Sequence, residues 1–123
     1  MSDPRGAAEC LFCRIVRGEI PARKAYEDEE ILAFHDIRPQ APVHLLVIPK
    51  QHIESMYDAG LQHRQVLGKM LALAGSLARQ EGAADGFRII VNTGRVGHQE
   101  VYHIHMHVLG GPEPLGPMLP RRK

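Results

Sequence analysis

Three histidines that alternate with large apolar side chains constrain this chain most strongly. Residues 103–109 read HIHMHVL. Because successive side chains of a strand point to opposite faces, this alternation is typical of a half-buried strand. On such a strand His103, His105 and His107 would share one face, ~6–7 Å apart along the chain, while the apolar residues between them enter the core. Neutral imidazoles can carry protons and act as nucleophiles near neutral pH, so the pattern predicts a functional site.

The composition predicts one ordinary globular domain. The chain has 123 residues, of which 44% are hydrophobic and 24% charged. Its net charge of +1 at pH 7 lacks the excess of lysine and arginine expected of a nucleic-acid-binding protein. No long apolar run or signal peptide is apparent, so we expect no membrane span and a cytoplasmic location. We expect residues 1–8 to be a flexible N-terminus and residues 9–123 a single domain that ends in an extended tail, 111–123.

The periodicity predicts an α+β fold with a five-stranded antiparallel sheet, one long helix and one short helix. The expected elements are a helix over 10–17, strands over 25–26, 31–34 and 44–48, a helix over 61–81, and strands over 87–92 and 103–109. Apolar residues at helical spacing mark the buried side of the long helix. They are Val66, Met70, Leu71, Leu73, Ala74, Leu77 and Ala78. An open sheet edge and an extended tail both favour a homodimer.

Several segments resemble the histidine-triad superfamily. The pattern of residues 103–109 is similar to the triad that names it, and residues 36–44 (DIRPQAPVH) and 47–50 (VIPK) resemble its nucleotide-pocket and central-strand segment. Residues 99–102 and the tail at 114–118 resemble the bacterial branch that hydrolyses nucleoside phosphoramidates. The resemblance covers about residues 10–118 and implies a HIT-like fold that extends across a dimer.

The resemblance implies a hydrolase of purine nucleoside 5'-phosphoramidates that releases AMP or GMP and an amine and requires no cofactor. His105 would be the nucleophile that forms a covalent nucleotidyl-histidine. His107 would donate to a phosphate oxygen, and His44 would orient the triad, of which His103 is the first member. Glu100 stands where many relatives have a small hydroxyl residue, and in its protonated form it could supply the leaving amine with a proton.

The resemblance also implies a nucleotide site. Its residues would be Ile20, Phe34, Asp36, Ile37, Asn92, Gln99 and His107. The apolar members form a slot suited to a flat purine, and the Asp36 carboxylate can accept hydrogen bonds from both ribose hydroxyls. The polar members, with backbone groups of residues 94–97, would contact the phosphate. His98 stands where relatives commonly have glycine, and it either constrains this loop, adds a donor or is simply exposed.

Two cysteines near the N-terminus have the spacing of half a tetrahedral zinc site. Cys10 and Cys13 would be joined by His52 and His103, as the resemblance to several zinc-carrying bacterial members implies. The alternative is a pair of free buried thiols. Redox use of the thioredoxin type is disfavoured because no βαβ pattern surrounds the pair.

Other functions remain open at this point. A dinucleoside polyphosphate hydrolase is the alternative within the superfamily, although the pattern at 99–107 and the short tail favour the phosphoramidase. A non-catalytic zinc- or nucleotide-binding interaction protein is the alternative from another class. Histidines two apart on a strand also occur in zinc enzymes of the carbonic anhydrase type, which makes zinc-based hydration a third hypothesis. The expected partners are a purine nucleotide and a second copy of the chain.

Overall fold

The computed structural model describes residues 6–119 of the 123-residue chain. The helices are α1 (Leu11–Val16) and α2 (Arg64–Gln80), and short 3-10 turns span Ala7–Glu9 and Leu61–His63. The strands are β1 (Lys24–Glu27), β2 (Ile31–His35), β3 (Val43–Pro49), β4 (Phe87–Ile90) and β5 (Met106–Gly110).

The strands form one antiparallel sheet in the order β1-β2-β3-β5-β4. Every residue of β3 is buried, because this strand lies at the centre of the sheet and both of its faces are covered. Short loops connect β1, β2 and β3, as antiparallel neighbours allow, whereas α2 lies between β3 and β4 in the chain. The predicted α+β class is confirmed, with a five-stranded antiparallel sheet, one long helix and one short helix.

The long helix α2 covers one face of the sheet. Its buried residues recur at intervals of three or four positions and therefore lie on one side of the helix. They are Val66, Met70, Ala74, Leu77 and Ala78. These side chains share a hydrophobic core with inward-facing residues of β2, β3 and β5.

Two apolar residues of the helices are exposed, and one of them, Leu71, was predicted to face the core. Leu71 is 57% exposed, because one step along a helix turns a side chain by about 100°, away from the side that buries Met70. Leu11 is 44% exposed at the first position of α1, whereas the next residue, Phe12, is 4% exposed. The buried side of α2 is therefore narrower than the sequence predicted.

The short helix α1 packs on the opposite face of the sheet. It contributes Phe12, Cys13 and Ile15 to a second apolar cluster. The strand residues of this cluster alternate along β2 and β3 and are Leu32, Phe34, Leu46 and Ile48. With only six residues, α1 is too short to be stable alone, so these contacts fix its position.

The histidine segment begins outside the sheet, which corrects the predicted strand over 103–109. The pairing between β3 and β5 begins at Val47 and Met106, and no sheet pair is described for residues 103–105. Proline has no N–H for such a ladder, and the Pro49 carbonyl accepts a hydrogen bond from the His103 ring at 2.7 Å. The side-chain alternation nevertheless persists through this extended segment, because Ile104 is buried in the same core as Met106.

The ends of other predicted elements also shift. Leu61–His63 forms a 3-10 turn ahead of α2, and the Gly60 N–H donates to Nδ1 of His63 at 3.0 Å. Strand β4 ends at Ile90 rather than at residue 92. Of the predicted flexible N-terminus and extended tail, the structure describes residues 6–8 and 111–119, and the remainder lies outside the described residues. Within residues 6–119, neither helix combines the length and apolar character that a membrane span needs.

Candidate active site

A groove of about 760 Å³ lies on the face of the sheet that carries α1. Its volume is typical of sites for small organic ligands. It brings together most of the residues that the sequence proposed for catalysis and nucleotide binding. Those that line it are Ile20, Phe34, Asp36, Ile37, Asn92, Glu100, His105 and His107. Phe12, which the sequence analysis did not assign to the site, also lines the groove.

The main chain assigns the tautomer of His105. Its Nδ1 lies 2.8 Å from the carbonyl oxygen of His103. A carbonyl oxygen can only accept, so Nδ1 carries the proton and Nε2 keeps an unprotonated lone pair. Burial lowers the pKa of His105, whose side chain is therefore neutral at pH 7. A neutral, oriented imidazole nitrogen is the form of histidine that can act as a nucleophile.

A chain of hydrogen bonds likewise assigns the tautomers of His44 and His107. The Gln40 N–H donates to Nδ1 of His44 at 3.0 Å, so the His44 proton is on Nε2. That nitrogen lies 2.9 Å from Nδ1 of His107 and donates to it. His107 must then carry its proton on Nε2. The groove therefore holds a proton donor on His107 beside the lone pair of His105, with their ring centroids 5.1 Å apart.

Burial keeps these two supporting rings neutral as well. The pKa of His107 is lowered to about 4 by burial, and also by the neighbouring rings of His105 and His44. Burial lowers the pKa of His44, against the opposite effect of the Asp36 carboxylate, whose Oδ2 is 3.5 Å from its Nε2. The donor directed at the groove is thus a neutral N–H rather than a cation.

The rim of the groove carries an exposed pair of polar side chains. Nε2 of His98 lies 3.3 Å from Oε1 of Glu100. His98 has a φ of 62°, the one positive value among the non-glycine residues at 6–119. Ile37, predicted to contact a purine, lies at the rim with 92% of its surface exposed.

Gln99, predicted among the nucleotide ligands, is buried and does not line the groove. Its Oε1 accepts from the Gly94 N–H at 2.9 Å. Its Nε2 donates to the carbonyls of Glu54 at 2.7 Å and Val101 at 3.0 Å. Both amide hydrogens are therefore used to brace the loop, and a direct bond from Gln99 to a phosphate would require breaking one of them. The predicted direct contact stays a prediction.

The four predicted zinc ligands form a separate cluster beside α1, outside the groove. One ligand atom from each of Cys10, Cys13, His52 and His103 lies within 4.8 Å of all the others. Nδ1 of His103 is 3.4 Å from Sγ of Cys10 and 3.5 Å from Sγ of Cys13. Nδ1 of His52 is 3.2 Å from Sγ of Cys13. In a tetrahedral zinc site, sulfur and nitrogen ligands are about 3.5 Å apart, so the cluster has the dimensions of such a site.

The tautomer of His103 also fits a metal site. Its Nε2 donates to the Pro49 carbonyl at 2.7 Å, which leaves the lone pair on Nδ1, directed at the two sulfurs. Burial and the neighbouring Cys10 raise the pKa of Cys13 to about 12. A metal ion would have to displace this thiol proton in order to bind.

A second group of potential ligands fits a metal poorly. Asp36, His44 and His107 also bring ligand atoms within 4.8 Å of one another. However, the Gln40 N–H points at Nδ1 of His44, so the proton must stay on Nε2, the nitrogen that faces the other two groups. The group is therefore suited to a hydrogen-bond chain.

Phe12 and the Gln40 main chain contribute to the groove without having been predicted from the sequence. The Phe12 ring contacts His105 edge-on, with centroids 5.1 Å apart and planes at 82°. The only sequence signal for Phe12 is its place between the two cysteines, and no side-chain pattern marks the Gln40 amide.

Known proteins and structures are similar to this chain over most of its length. The profile of the HIT domain family matches residues 17–113. A protein of Escherichia coli K12 named purine nucleoside phosphoramidase is 54% identical over 114 residues, which cover 92% of this chain and 95% of that protein. A 14 kDa zinc-binding protein of Zea mays is 48% identical over 103 residues, covering 82% of this chain and 80% of that protein. The crystal structure of a HIT family hydrolase from Legionella pneumophila Philadelphia 1 superposes with a TM-score of 0.81 at 51% identity, covering 85% of this chain and 94% of that one.

Proposed function

The chain belongs to the HIT domain family, and from that premise we propose that it hydrolyses purine nucleoside 5'-phosphoramidates, releasing AMP or GMP and an amine. The observation that carries the proposal is the unprotonated Nε2 of His105, held in the groove beside the N–H of His107. The name of the Escherichia coli relative, purine nucleoside phosphoramidase, supports the same substrate class.

The proposed reaction has two displacements at phosphorus. Nε2 of His105 attacks, a P–N(His) bond forms, and the P–N bond to the amine breaks. The electron pair of that bond leaves with the amine, which takes a proton from the groove. Glu100 at the rim, in its protonated form, is the proposed donor. Water then attacks phosphorus and gives a proton to the Glu100 carboxylate, while the P–N(His) bond breaks and its electron pair returns to Nε2 of His105. The monophosphate leaves with His105 and Glu100 regenerated.

The supporting contacts would act on the charge that develops in these steps. When Nε2 forms its bond to phosphorus, the ring becomes cationic, and the hydrogen bond from Nδ1 to the His103 carbonyl strengthens. Nε2–H of His107 would donate to a non-bridging phosphate oxygen. Phosphoryl transfer depends mainly on such positioning and charge stabilisation.

The proposed nucleoside site lies in the same groove. The purine would pack against Ile20 and Phe34, with Ile37 at the rim. Oδ1 of Asp36 already accepts from the Arg38 N–H at 2.8 Å, so the carboxylate is held in place for the ribose hydroxyls. Asn92 would contact the phosphate. Apolar contacts respond to ring shape, which suits both adenine and guanine.

The test is hydrolysis of adenosine 5'-monophosphoramidate with and without EDTA. We expect release of AMP in both conditions and a trapped adduct on His105 that is detected by mass spectrometry. His105→Ala should lose both, whereas His63→Gln, a buried histidine outside the groove, should keep both. Hydrolysis that is abolished in EDTA, and not merely slowed, would favour zinc chemistry. Activity on a dinucleoside polyphosphate alone, or none, would favour the alternative functions.

We also propose that Cys10, Cys13, His52 and His103 hold a structural zinc ion. The distances and the His103 tautomer support this, as does the name of the maize zinc-binding protein. A bound zinc would supply a crosslink between α1 and the segment before β5. His105 is not among the ligands, so catalysis would need no metal. Zinc content near one per chain, and a lower melting temperature after chelation, are the expected results.

A homodimer in the cytoplasm is the proposed state of the protein. Strand β4 is an edge of the sheet, and Phe87 at its start and Val91 just after its end are 40% and 38% exposed. An exposed apolar edge favours pairing with a second chain. Light scattering should give the mass of two chains, and Phe87→Lys should reduce it to one.

A further inference from the structure

We propose that Phe12 is a positioning residue for the His105 imidazole, and that Phe12 and His103 together connect the cysteine–histidine cluster to the nucleophile. The inference rests on the proposed function, because it assigns His105 the role of nucleophile. It adds that the cysteine–histidine cluster controls how well that nucleophile is oriented.

The first connection is the Phe12 ring. Phe12 is 4% exposed, and its ring contacts the rings of both His103 and His105. Its centroid is 5.1 Å from that of His105 at 82°, and 5.9 Å from that of His103 at 75°. These are the edge-to-face arrangements that aromatic rings prefer. His105 is thus held by Phe12, by His107 and by its one hydrogen bond to the main chain.

The cysteines fix where Phe12 lies. Cys10 is the N-cap of α1, and its Sγ accepts from the Cys13 N–H at 3.3 Å. Both sulfurs also lie within 3.5 Å of Nδ1 of His103. A helix of six residues has little stability of its own, so a change at either sulfur would shift α1 and Phe12 with it.

The second connection is the His103 residue itself. Its ring contacts the sulfurs through Nδ1, and its own carbonyl oxygen accepts from Nδ1–H of His105. The acceptor that sets the His105 tautomer therefore belongs to a residue whose side chain is part of the cluster. The ring contact from Phe12 and the hydrogen bond to the His103 carbonyl both involve the His105 imidazole, so loosening the cluster would weaken both.

The consequence is a loss of orientation rather than of ligand binding. Without the Phe12 edge, the His105 ring can rotate away from the direction of attack. Small misplacements of a reacting group reduce rates by on the order of 10-fold to 100-fold. We therefore expect Phe12→Leu, which keeps an apolar side chain, to lower kcat by ~10-fold and to raise KM by less.

The experiment compares Phe12→Leu with Ile48→Val. Ile48 is fully buried in the same apolar cluster but does not line the groove, so it is a matched control for lost packing. The readouts are kcat, KM and the ¹⁵N NMR shifts of the His105 ring, which report its tautomer without substrate. Phe12→Leu should lower kcat and mix the tautomers, whereas Ile48→Val should leave both unchanged. Should Phe12→Leu fail to fold, Phe12→Met, which is also flexible and apolar, has the same expected effects.

The link to the cluster is tested with the double variant Cys10→Ser, Cys13→Ser. We expect its His105 ring signals to move in the same direction as those of Phe12→Leu. Unchanged tautomers in both variants would overturn the inference, as would an equal loss of kcat in Ile48→Val. Because the NMR readout needs no turnover, an inactive parent protein would refute the proposed reaction separately from this coupling.

Discussion

The half-buried ring of His107 should make the fold sensitive to acid. Its pKa is lowered from 6.5 to about 4, first by burial and then by the rings of His105 and His44. Between these values the unfolded chain binds a proton that the folded chain does not, so stability falls as the pH falls. The stability that depends on the neutral His107 ring is fully present above about pH 6.5 and is lost progressively toward pH 4. For one such histidine, the free energy of unfolding decreases by about 2 kcal/mol from pH 7 to pH 5.

Urea unfolding of the parent and of His107→Asn at pH 7 and pH 5 measures this contribution. The variant lacks the titrating ring, so its loss of unfolding free energy over this interval should be smaller by about 2 kcal/mol. Val66→Ala is the control, because it removes buried apolar contacts without a proton and should lower both values equally. A pH dependence in His107→Asn that equals that of the parent would show that the neutral ring is not a source of acid sensitivity.

Three further outcomes are expected. Gly97→Ala would place a Cβ 2.5 Å from the Thr93 carbonyl oxygen, so the loop must move; we expect a loss of about 1–3 kcal/mol in unfolding free energy and a lower kcat/KM. Met70→Ala, at a residue 2% exposed beneath the sheet, should cost about 2–5 kcal/mol in a denaturant titration and leave KM unchanged. Asp36→Asn should raise KM for the phosphoramidate by ~10-fold, since a charged acceptor for the ribose is lost; an unchanged KM would contradict the proposed ribose contact.

The parts of the fold that follow from periodicity could be predicted from the sequence. Alternation at 103–109 placed Ile104 and Met106 in the core, and both are buried there. The beginning of β5 could not be predicted, because it depends on Pro49, which is distant in sequence and offers no N–H to the ladder. Leu71 shows a second limit of prediction from periodicity. It is apolar, as a core residue would be, but it lies one position outside the buried side of α2 and is exposed.

The sequence predicted most of the side chains that meet in the groove, but not which of their nitrogen atoms carry protons. Motif resemblance named His44 and His107, yet their tautomers depend on the Gln40 amide, which carries no side-chain signal. Likewise Gln99 stands at the position the motif gives, but its partner Glu54 is 45 residues away. Contacts between main-chain groups and side chains far apart in the chain decide which atoms hold protons, and only folding brings them together.

The neutral state of the hydrogen-bonded His44 and His107 rings affects how the proposed product would leave the groove. A nucleoside monophosphate carries more negative charge at neutral pH than the phosphoramidate from which it is formed. In the proposed complex His107 would meet the phosphate with an uncharged N–H, so the added charge would gain little attraction from it. The Asp36 carboxylate in the same groove would oppose that charge. We therefore expect such a groove to favour the less charged substrate over the product, which would limit inhibition by the accumulated monophosphate.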